Sequence, residues 1–444
     1  MTDLLLFFAD FARRAAILRD SYLVGGTVRD LLIGKVTKDF DVVVRGNPFV
    51  LGKDFAGLMA ASFVALDQEL GIVRVVKEGS HLDLSAMRGE TIGDDLSERD
   101  LTINAMAVPL ASIQSLLRST GFSDFPRAAV LDHLIDPFGG KRDLDYGMVR
   151  MVSEENLSKD PLRLLRVYRF SSTLGFLTDI NTSVSVRRLA PLIAGVAVER
   201  VAEELRHILR FGFSGKTLKE LDAVGLLIQV LPEIRHIPAD AWHRSLRSYT
   251  FIEHILQNLA LYFPGHSPAV ASYFTEDYRL LGLKLAALFS FGTQGDQVAS
   301  RLKMSNREVS FIRKMQADSP RMAALLGAPT SARVRFLRDC GDGVYPLAVL
   351  VIAAHHVCQC NDDPILEFCR ELLRFYHEEF LPRVKLLPLV TGDDLRREFR
   401  LTPSPVFREV LSGVTQLILE GRISTKKEAL QAVEDMLKEE RVTP

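Results

Sequence analysis

The feature that most constrains the fold is a change of hydrophobic pattern near residue 152. Before this point, short runs rich in β-forming residues alternate with turn signals, at 22–24, 40–44, 72–76 and 81–84. After residue 160, helical periodicity dominates, as at 163–174, 201–211 and 309–315, and strand signals nearly disappear. The sequence therefore predicts an α/β head, built on a small mixed sheet with helices, followed by an all-α neck, body and tail.

Breaks in the pattern predict where these parts begin and end. A chain of 444 residues is long enough for about two to four domains. Turn-forming residues occur near 153–159, 213–215 and 382–388. We therefore expect a head at 1–152, a neck at 153–215, a body at 216–385 and a tail at 386–444.

The composition is that of a globular protein, with 47% hydrophobic and 25% charged residues, and it excludes disordered and collagen-like chains. The net charge of −1 means that any contact with nucleic acid must use a local basic patch. The apolar run at 4–9 lacks a basic flank, and the run at 347–354 is shorter than a membrane span of about 20 residues. We expect a cytoplasmic protein without a membrane span.

The stretch from 22 to 44 carries the strongest chemical signal. A β-rich run ends in Gly25 and Gly26, and a short helical segment follows. Paired glycines between a strand and a helix let backbone N–H groups approach a phosphate closely, at the positive end of the helix dipole. This arrangement predicts a binding site for a triphosphate.

A pair of carboxylates follows the glycines. Asp39 and Asp41 are two positions apart, so on a strand both side chains point to one face and can share hard cations such as Mg²⁺. Asp83, between two leucines, offers a third carboxylate if its strand is adjacent. Paired ions of this kind activate a hydroxyl and stabilise the leaving oxygen in displacement at phosphorus. Alone, either signal fits an ordinary turn or a solvated strand end; their ordered combination favours a nucleotidyltransferase site.

Together with these residues, further motifs resemble the bacterial and eukaryotic class of tRNA nucleotidyltransferases, the CCA-adding enzymes, and the related bacterial poly(A) polymerases. They are Val28-Arg29-Asp30, the ribose-recognition string at 99–107, the glycine turn at 135–140, the base-selection string at 160–166 and the neck-helix string at 199–205. The agreement spans about residues 22 to 210, and the string at 388–395 is similar to tails in the family.

The resemblance implies roles for individual residues. Asp39 and Asp41 would bind the catalytic Mg²⁺, with Asp83 as a third catalytic carboxylate. The nucleotide-binding residues would be Gly25, Gly26, Arg29, Arg99, Asp100, Asn104, Asp160, Arg163, Arg166 and Arg169.

The spacing of Asp160 and Arg163 agrees with base selection, because residues three apart on a helix share a face. A carboxylate accepts from the exocyclic amine of cytosine or adenine while a guanidinium donates to the adjacent ring nitrogen. Uracil and guanine present the reverse pattern, and each unmet buried group costs about 1 to 3 kcal/mol. The other interpretation of the pair is a surface salt bridge.

Three departures from the family pattern are evident, and the last of them bears on the product. Lys159 stands where the family usually has Glu, and an insertion of unassigned role covers 111–130. The segment at 88–94 is short where full CCA-adding members have a longer flexible loop. In the family, a missing loop goes with enzymes that add only the two cytidines. A physical reason is that a mobile loop can reset the pocket for a larger purine.

The sequence therefore predicts transfer of CMP from CTP to a tRNA 3′ end with release of pyrophosphate, and leaves addition of AMP from ATP open. A separate A-adding enzyme would then act on the same tRNA, which the body and tail would hold by its shape and phosphates. A poly(A) polymerase of the same family is the nearest alternative. An RNA-binding protein with an inactive transferase head is the alternative from another class.

Overall fold

The computed structural model describes residues 4–35, 37–68, 71–120, 127–292, 295–358, 362–402 and 405–440. The chain forms two compact units. The first comprises Met1–Ile208 and Glu220–Val230, and the second comprises Leu209–Lys219 and Leu231–Pro444. The finer division into head, neck, body and tail stays a prediction.

The first unit is built on a six-stranded mixed sheet with the strand order β3-β4-β5-β2-β1-β6. The strands are β1 (Ser21–Val24), β2 (Asp39–Val44), β3 (Ser62–Asp67), β4 (Ile72–Lys77), β5 (Ser80–Ala86) and β6 (Ala107–Pro109). Only the β2–β5 pair is parallel; the other neighbours in this sheet run antiparallel. The mixed sheet predicted from the sequence is thus present, with β3 and β6 as additional edge strands.

Helices pack against this sheet. The helices of the first unit are α1 (Leu4–Arg14), α2 (Gly25–Leu32), α3 (Pro48–Met59), α4 (Ile92–Ser97), α5 (Leu110–Thr120), α6 (Arg127–Asp132), α7 (Gly140–Asp145), α8 (Glu154–Lys159), α9 (Leu162–Leu174), α10 (Ile180–Leu189), α11 (Val198–Leu209, whose last residue falls in the second unit) and α13 (Leu227–Val230). Phe8 of α1 packs edge-on against Phe55 of α3 at 5.3 Å between ring centroids. Both rings are fully buried.

The insertion at 111–130 becomes part of this helical layer. Its first half extends α5, and Nε2 of Gln114 donates to the Asp10 carboxylate of α1 (2.8 Å). Its second half includes the start of α6, while residues 121–126 lie outside the described part of the chain. The insertion therefore lengthens the layer that covers the sheet.

A second, two-stranded parallel sheet joins β7 (Met148–Val149) to β8 (Leu177–Thr178). Strand signals were expected to be nearly absent after residue 160, so β8 differs from the prediction. The pairing is too short to produce an alternating pattern. Arg150 reinforces it by bonding Asp143 and Asp179 at once.

The second unit is helical throughout its described residues. Its helices are α14 (Ala239–Gln257), α15 (Leu259–Tyr262), α16 (Ser267–Tyr273), α17 (Asp277–Leu288), α18 (Gly295–Arg301), α19 (Asn306–Ala323), α20 (Thr330–Cys340), α21 (Val344–Val357), α22 (Asp362–Phe375), α23 (Leu381–Val384), α24 (Gly392–Phe399), α25 (Pro405–Leu419) and α26 (Lys426–Glu440). Helix α12 (Ser214–Ala223) contains residues of both units. The predicted fold class is confirmed.

The most apolar stretch of the second unit is a core element. The segment Thr330–Val357 is long and apolar enough to cross a membrane, yet 72% of its most apolar window is buried inside the protein. Helix α21 accordingly contacts α14, α17, α19 and α22. Burial on all sides explains its uniform hydrophobicity.

Candidate active site

The three predicted carboxylates lie on one face of the central sheet. Asp41 of β2 stands opposite Asp83 of β5, and Asp39 stands opposite His81. Thr27 of α2 fixes the start of β2, because its Oγ1 accepts from the backbone N–H of Asp41 (2.8 Å) and donates to the carbonyl of Asp39 (3.1 Å). The strand period therefore brings together the residues that the sequence singled out.

Asp41 carries an unbalanced charge. Its half-buried carboxylate receives no side-chain or backbone hydrogen bond from the residues that the structure describes. Burial, followed by repulsion from Asp83, raises the pKa of Asp41 from 3.8 to about 6, against the opposing charges of Arg99 and Arg29. A carboxylate in this condition gains from a bound cation.

Asp39 and Asp83 have partners. Nδ1 of His81 lies 2.8 Å from Oδ1 of the exposed Asp39. Arg74 of β4 makes a bidentate pair with Asp83, Nε to Oδ1 and Nη2 to Oδ2, both 2.7 Å. Neither partner was predicted from the sequence. Arg74 nevertheless interrupts an apolar run, which indicates that its side of β4 faces away from the core.

The donor set fits Mg²⁺ bound jointly with a nucleotide. Among the described residues, no three acidic, histidine or cysteine side chains are grouped so as to hold a metal ion by themselves. Mg²⁺ is commonly held by one or two carboxylates plus substrate phosphates. Asp39 and Asp41 supply such a pair, whereas Asp83 is engaged by Arg74.

The glycine pair lies directly against Asp41. Gly25 has φ +64°, and a Cβ there would stand 2.9 Å from Nη1 of Arg99 and 3.4 Å from Oδ2 of Asp41. A Cβ at Gly26 would stand 3.4 Å from the same carboxylate oxygen. Both glycines belong to the first turn of α2, two residues before Thr27, where the sequence pattern predicts the helix to begin. A side chain at either position would fill the space beside the carboxylate.

A buried network connects the predicted nucleotide-binding residues. Nη1 of Arg29 donates to Oδ1 of Asn104 (2.7 Å), and Nδ2 of Asn104 donates to Oδ1 of Asp100 (3.4 Å). Nε of Arg166 donates to the other oxygen of Asp100 (2.7 Å). Burial raises the pKa of Asp100, but Arg166 outweighs it and the pKa falls to about 2. The network holds two guanidinium groups in fixed positions.

Phe170 is the centre of a cationic cluster that the sequence analysis did not identify. The guanidinium carbons of Arg169, Arg29 and Arg166 lie 4.2, 5.0 and 5.4 Å from the centroid of its ring. Arg169 is also held by Glu204 of α11 (2.7 Å). The motif strings contain Glu204, but no spacing rule pairs it with Arg169.

Arg99 borders the glycine turn from the other side. Its Nε and Nη2 donate to Oδ2 of Asp95 (3.1 and 2.9 Å), a residue the sequence analysis assigned no role. The exposed fraction of the Asp95 side chain is 5%. Arg99 is therefore positioned by a buried carboxylate beside the place where the phosphates would lie.

The base-selection residues were predicted to share one face of a helix, but only Arg163 lies on a helix. Asp160 has extended backbone angles and lies between α8 and α9, not on a helix. The reason is Pro161, which disfavours helical geometry in the residue before it. Nε of Arg163 is 4.0 Å from Asp160, and its Nη1 donates to the carbonyl of Glu98 (2.8 Å). Asp160 instead accepts from Arg200 (3.1 Å).

The segment between Met87 and Asp95 is a closed turn. The backbone N–H groups of Glu90 and Thr91 donate to Oδ2 of Asp94 (3.1 and 2.8 Å), within a capping box at the start of α4. The N–H of Arg88 donates to Asp95 (3.2 Å). The segment is thus tied at both ends.

Comparison with known proteins identifies the family. Residues 21–150 match the family described as "Poly A polymerase head domain", and residues 175–237 match "Probable RNA and SrmB- binding site of polymerase A". A CC-adding tRNA nucleotidyltransferase of Synechocystis sp. is 30% identical over 420 residues, which cover 93% of each chain. An A-adding tRNA nucleotidyltransferase of Deinococcus radiodurans is 28% identical, over 92% of this chain and 93% of that protein.

The fold agrees with these relatives. A solved structure described as the apo form I of a CCA-adding enzyme matches with a TM-score of 0.70 at 22% identity, covering 98% of this chain and 93% of that one. The resemblance carried by the motifs between residues 22 and 210 is confirmed. Because the similarity extends over nearly the whole of both chains, the protein belongs to the family of tRNA nucleotidyltransferases.

Proposed function

We propose that the chain adds two CMP units from CTP to the 3′ end of tRNA, releases pyrophosphate at each addition, and leaves the terminal adenosine to a separate enzyme. The closed turn at 88–94 is the observation that carries the choice of CC over CCA. A segment tied by Asp94 and Asp95 cannot swing far enough to change the shape of a pocket. The relatives with CC-adding and A-adding names support a division of labour between two enzymes.

The carboxylate face would carry the chemistry. Asp39 and Asp41 would hold Mg²⁺, which, when bound, polarises the α-phosphate and neutralises charge on the leaving oxygen. The half-buried Asp41 would be the ligand that gains most from the ion, since burial and repulsion from Asp83 act on its charge. Asp83 is fixed by Arg74, so it would influence the electrostatic potential at the reacting phosphate and would not be a main metal ligand.

The glycine turn would receive the triphosphate. Gly25 and Gly26 leave room beside Asp41, and Arg99 lies at the edge of that room. Arg29 and Arg166 would contribute further positive charge from the buried network around Asn104 and Asp100. Such fixed donors require little reorganisation when negative charge develops on the phosphates.

The base would be read near the start of α9. Asp160 and Arg163 carry the acceptor and donors that match the edge of cytosine. Nη2 of Arg200 donates to both carboxylate oxygens of Asp160 (3.3 and 3.1 Å), so base reading would require this pair to open. Arg169 would complete the pocket beside Phe170. We place the reaction in the cytoplasm, where tRNA is processed.

The test uses purified protein and tRNA transcripts that end before, within and after the CC, with CTP, ATP, UTP or GTP offered singly and CTP with ATP together. We expect extension by two residues with CTP alone and no third residue when ATP is added. Efficient addition of a terminal adenosine would overturn the CC-only proposal and leave nucleotide transfer standing. Repeated ATP incorporation would identify a poly(A) polymerase, and no incorporation would indicate an inactive head.

A second arm tests the turn itself. A longer loop, taken from a full CCA-adding relative and placed between Met87 and Asp95, should restore some adenosine addition, because Asp160 and Arg163 already match the edge of adenine. The control is a graft of equal length at the exposed end of α3, after Met59, which should leave the product unchanged. If the two grafts gave the same products, the turn at 88–94 would not determine which nucleotide is added.

A further inference from the structure

The sheet face that carries Asp39 and Asp41 extends well beyond the carboxylates. Strand register places Asp41, Asp83, Arg74 and Val64 in one row across β2, β5, β4 and β3. Because side chains alternate along each strand, all four point to the same side of the sheet. The row runs from the candidate metal pair to the edge strand β3.

At β3, β4 and β5 this face is open, in contrast to the opposite one, whereas at β2 the same face is covered by α4, where Leu96 and Val43 share a buried cluster. On the opposite side, Val73, Val75, Leu82 and Leu84 are completely buried. On the carboxylate side, the neighbouring residues of β4 and β5 are half-buried, and Val64 of the edge strand is 44% exposed. Beside the carboxylates there is consequently a solvent-facing surface with an apolar margin and one arginine.

Arg74 has hydrogen-bonding capacity to spare. It uses Nε and Nη2 to hold Asp83, and its Nη1 has no partner among the described residues. About a third of its side chain is exposed. The pair with Asp83 fixes the plane of the guanidinium, which leaves a pre-oriented donor on the open face.

The geometry of in-line displacement at phosphorus indicates which part of the substrate this donor of Arg74 would meet. The leaving pyrophosphate would lie on the glycine turn at the end of β1, on one side of Asp41. In an in-line displacement the attacking oxygen lies on the opposite side of the phosphorus. On the other side of β2 lies β5, followed by β4. The 3′ hydroxyl of the acceptor must therefore approach over Asp83 and Arg74.

We propose that Arg74, held in place by Asp83 on the open face of β3, β4 and β5, binds the last phosphodiester of the RNA acceptor and so positions its 3′ hydroxyl opposite the leaving pyrophosphate. This rests on the proposed nucleotide transfer. The partner is anionic, which complements the cation. Val64 would border the terminal sugar and base.

The test compares Arg74→Gln, Arg74→Lys and the control Lys53→Gln, which removes an exposed charge from α3 on the covered side of the sheet. Loss of a hydrogen bond to a charged group corresponds to about a 10- to 100-fold loss of affinity. We expect Arg74→Gln to raise the KM for tRNA by about 10-fold or more, with the KM for CTP unchanged. Arg74→Lys should recover part of the loss, and Lys53→Gln should behave as wild type.

Binding provides a readout besides activity. Losing one phosphate contact to a single strand should reduce the slope of log Kd against log salt by about 0.7 for Arg74→Gln. A higher KM for CTP, a lower kcat with unchanged KM for tRNA, or an unchanged salt slope would overturn the proposal, because a purely structural role for Arg74 predicts those results. Loss of CTP incorporation by the wild type would instead reject the proposed function.

A substrate-side experiment does not depend on the folding of a variant. An acceptor whose last internucleotide linkage is an uncharged methylphosphonate should bind wild-type protein about 10-fold more weakly or worse. The control acceptor carries the same replacement several linkages further into the double-stranded stem. Equal affinity for the two acceptors would contradict the assignment of Arg74 to the last phosphodiester.

Discussion

Two sites, one in each unit, bury charge in opposite ways. In the first unit, the half-buried carboxylate of Asp41 has no hydrogen-bond donor among the described residues, and its pKa is raised to about 6. In the second unit, Glu253 and Lys284 are almost fully buried, and their charged atoms are 2.8 Å apart. Glu253 also accepts from both the N–H and the hydroxyl of Ser214 and from the N–H of Gly215.

The difference distinguishes a buried charge that stabilises the fold, as in the Glu253–Lys284 pair, from one that is available to a ligand, as in Asp41. Lys284 donates to Glu253, to Ser214 and to the carbonyls of Leu209 and Phe211, so the pair closes the turn before α12 and is complete without a ligand. Asp41 is incomplete by itself, which is costly for folding and useful for binding a cation. Where a buried charge lacks a protein partner, a substrate or cofactor is the expected partner.

The largest expected effect is the loss of nucleotide transfer when a carboxylate of the candidate metal site is removed. Asp39→Ala removes a proposed metal ligand, and since the metal supplies several kcal/mol, transfer to tRNA should fall by about 10³-fold or more. Affinity for tRNA should persist. Transfer is measured by CTP incorporation, and Asp54→Ala on the exposed side of α3 is the control. Near-normal turnover of Asp39→Ala would refute the metal assignment.

The variant Lys284→Met tests whether the buried pair of Glu253 and Lys284 stabilises the fold. It leaves Glu253 buried with its main cationic partner removed, which typically costs about 3 to 5 kcal/mol. We expect a loss of this size in the free energy of unfolding, measured by denaturant titration. Lys219→Met, at an exposed position of α12, should change it by less than about 0.5 kcal/mol. If the two variants were equally stable, the buried pair would not be a structural element.

An intermediate case is the pair of Asp160 and Arg200, whose side chains are 33% and 54% exposed. Asp160→Ala should relax discrimination between CTP and UTP by about 10-fold or more, while stability changes little, because the exposed pair contributes little to folding. The discrimination is measured as the ratio of the kcat/KM values for CTP and UTP. Glu155→Ala, exposed on α8, is the control. If UTP stayed excluded as strongly, base selection would lie elsewhere.

Much of the head could be predicted from the sequence. Strand alternation brought Asp39 and Asp41 to one face, and the register of β2 and β5 placed Asp83 opposite Asp41. The strand β3 could not be found, because its exposed edge position removes the apolar alternation. Arg74 and Glu204 lie 9 and 35 residues from the side chains that they hold, and local spacing contains no information on such contacts. Asp95 lies only four residues before Arg99, so its i,i+4 spacing was a signal that could have identified it. Asp160 lies outside the predicted helix because Pro161 disfavours helical geometry in the residue before it.

The most direct measurement follows the stability and activity of Asp41→Asn together. In wild type the folded state binds more protons than the unfolded state between pH 3.8 and about 6, so its stability should fall as pH rises through this range. At pH 8 in EDTA, Asp41→Asn should therefore be more stable than wild type, by about 1 to 3 kcal/mol, and should transfer no CMP when Mg²⁺ is restored. A less stable variant, or one that transfers CMP at the wild-type rate, would contradict the claim that this carboxylate is kept unpaired for catalysis.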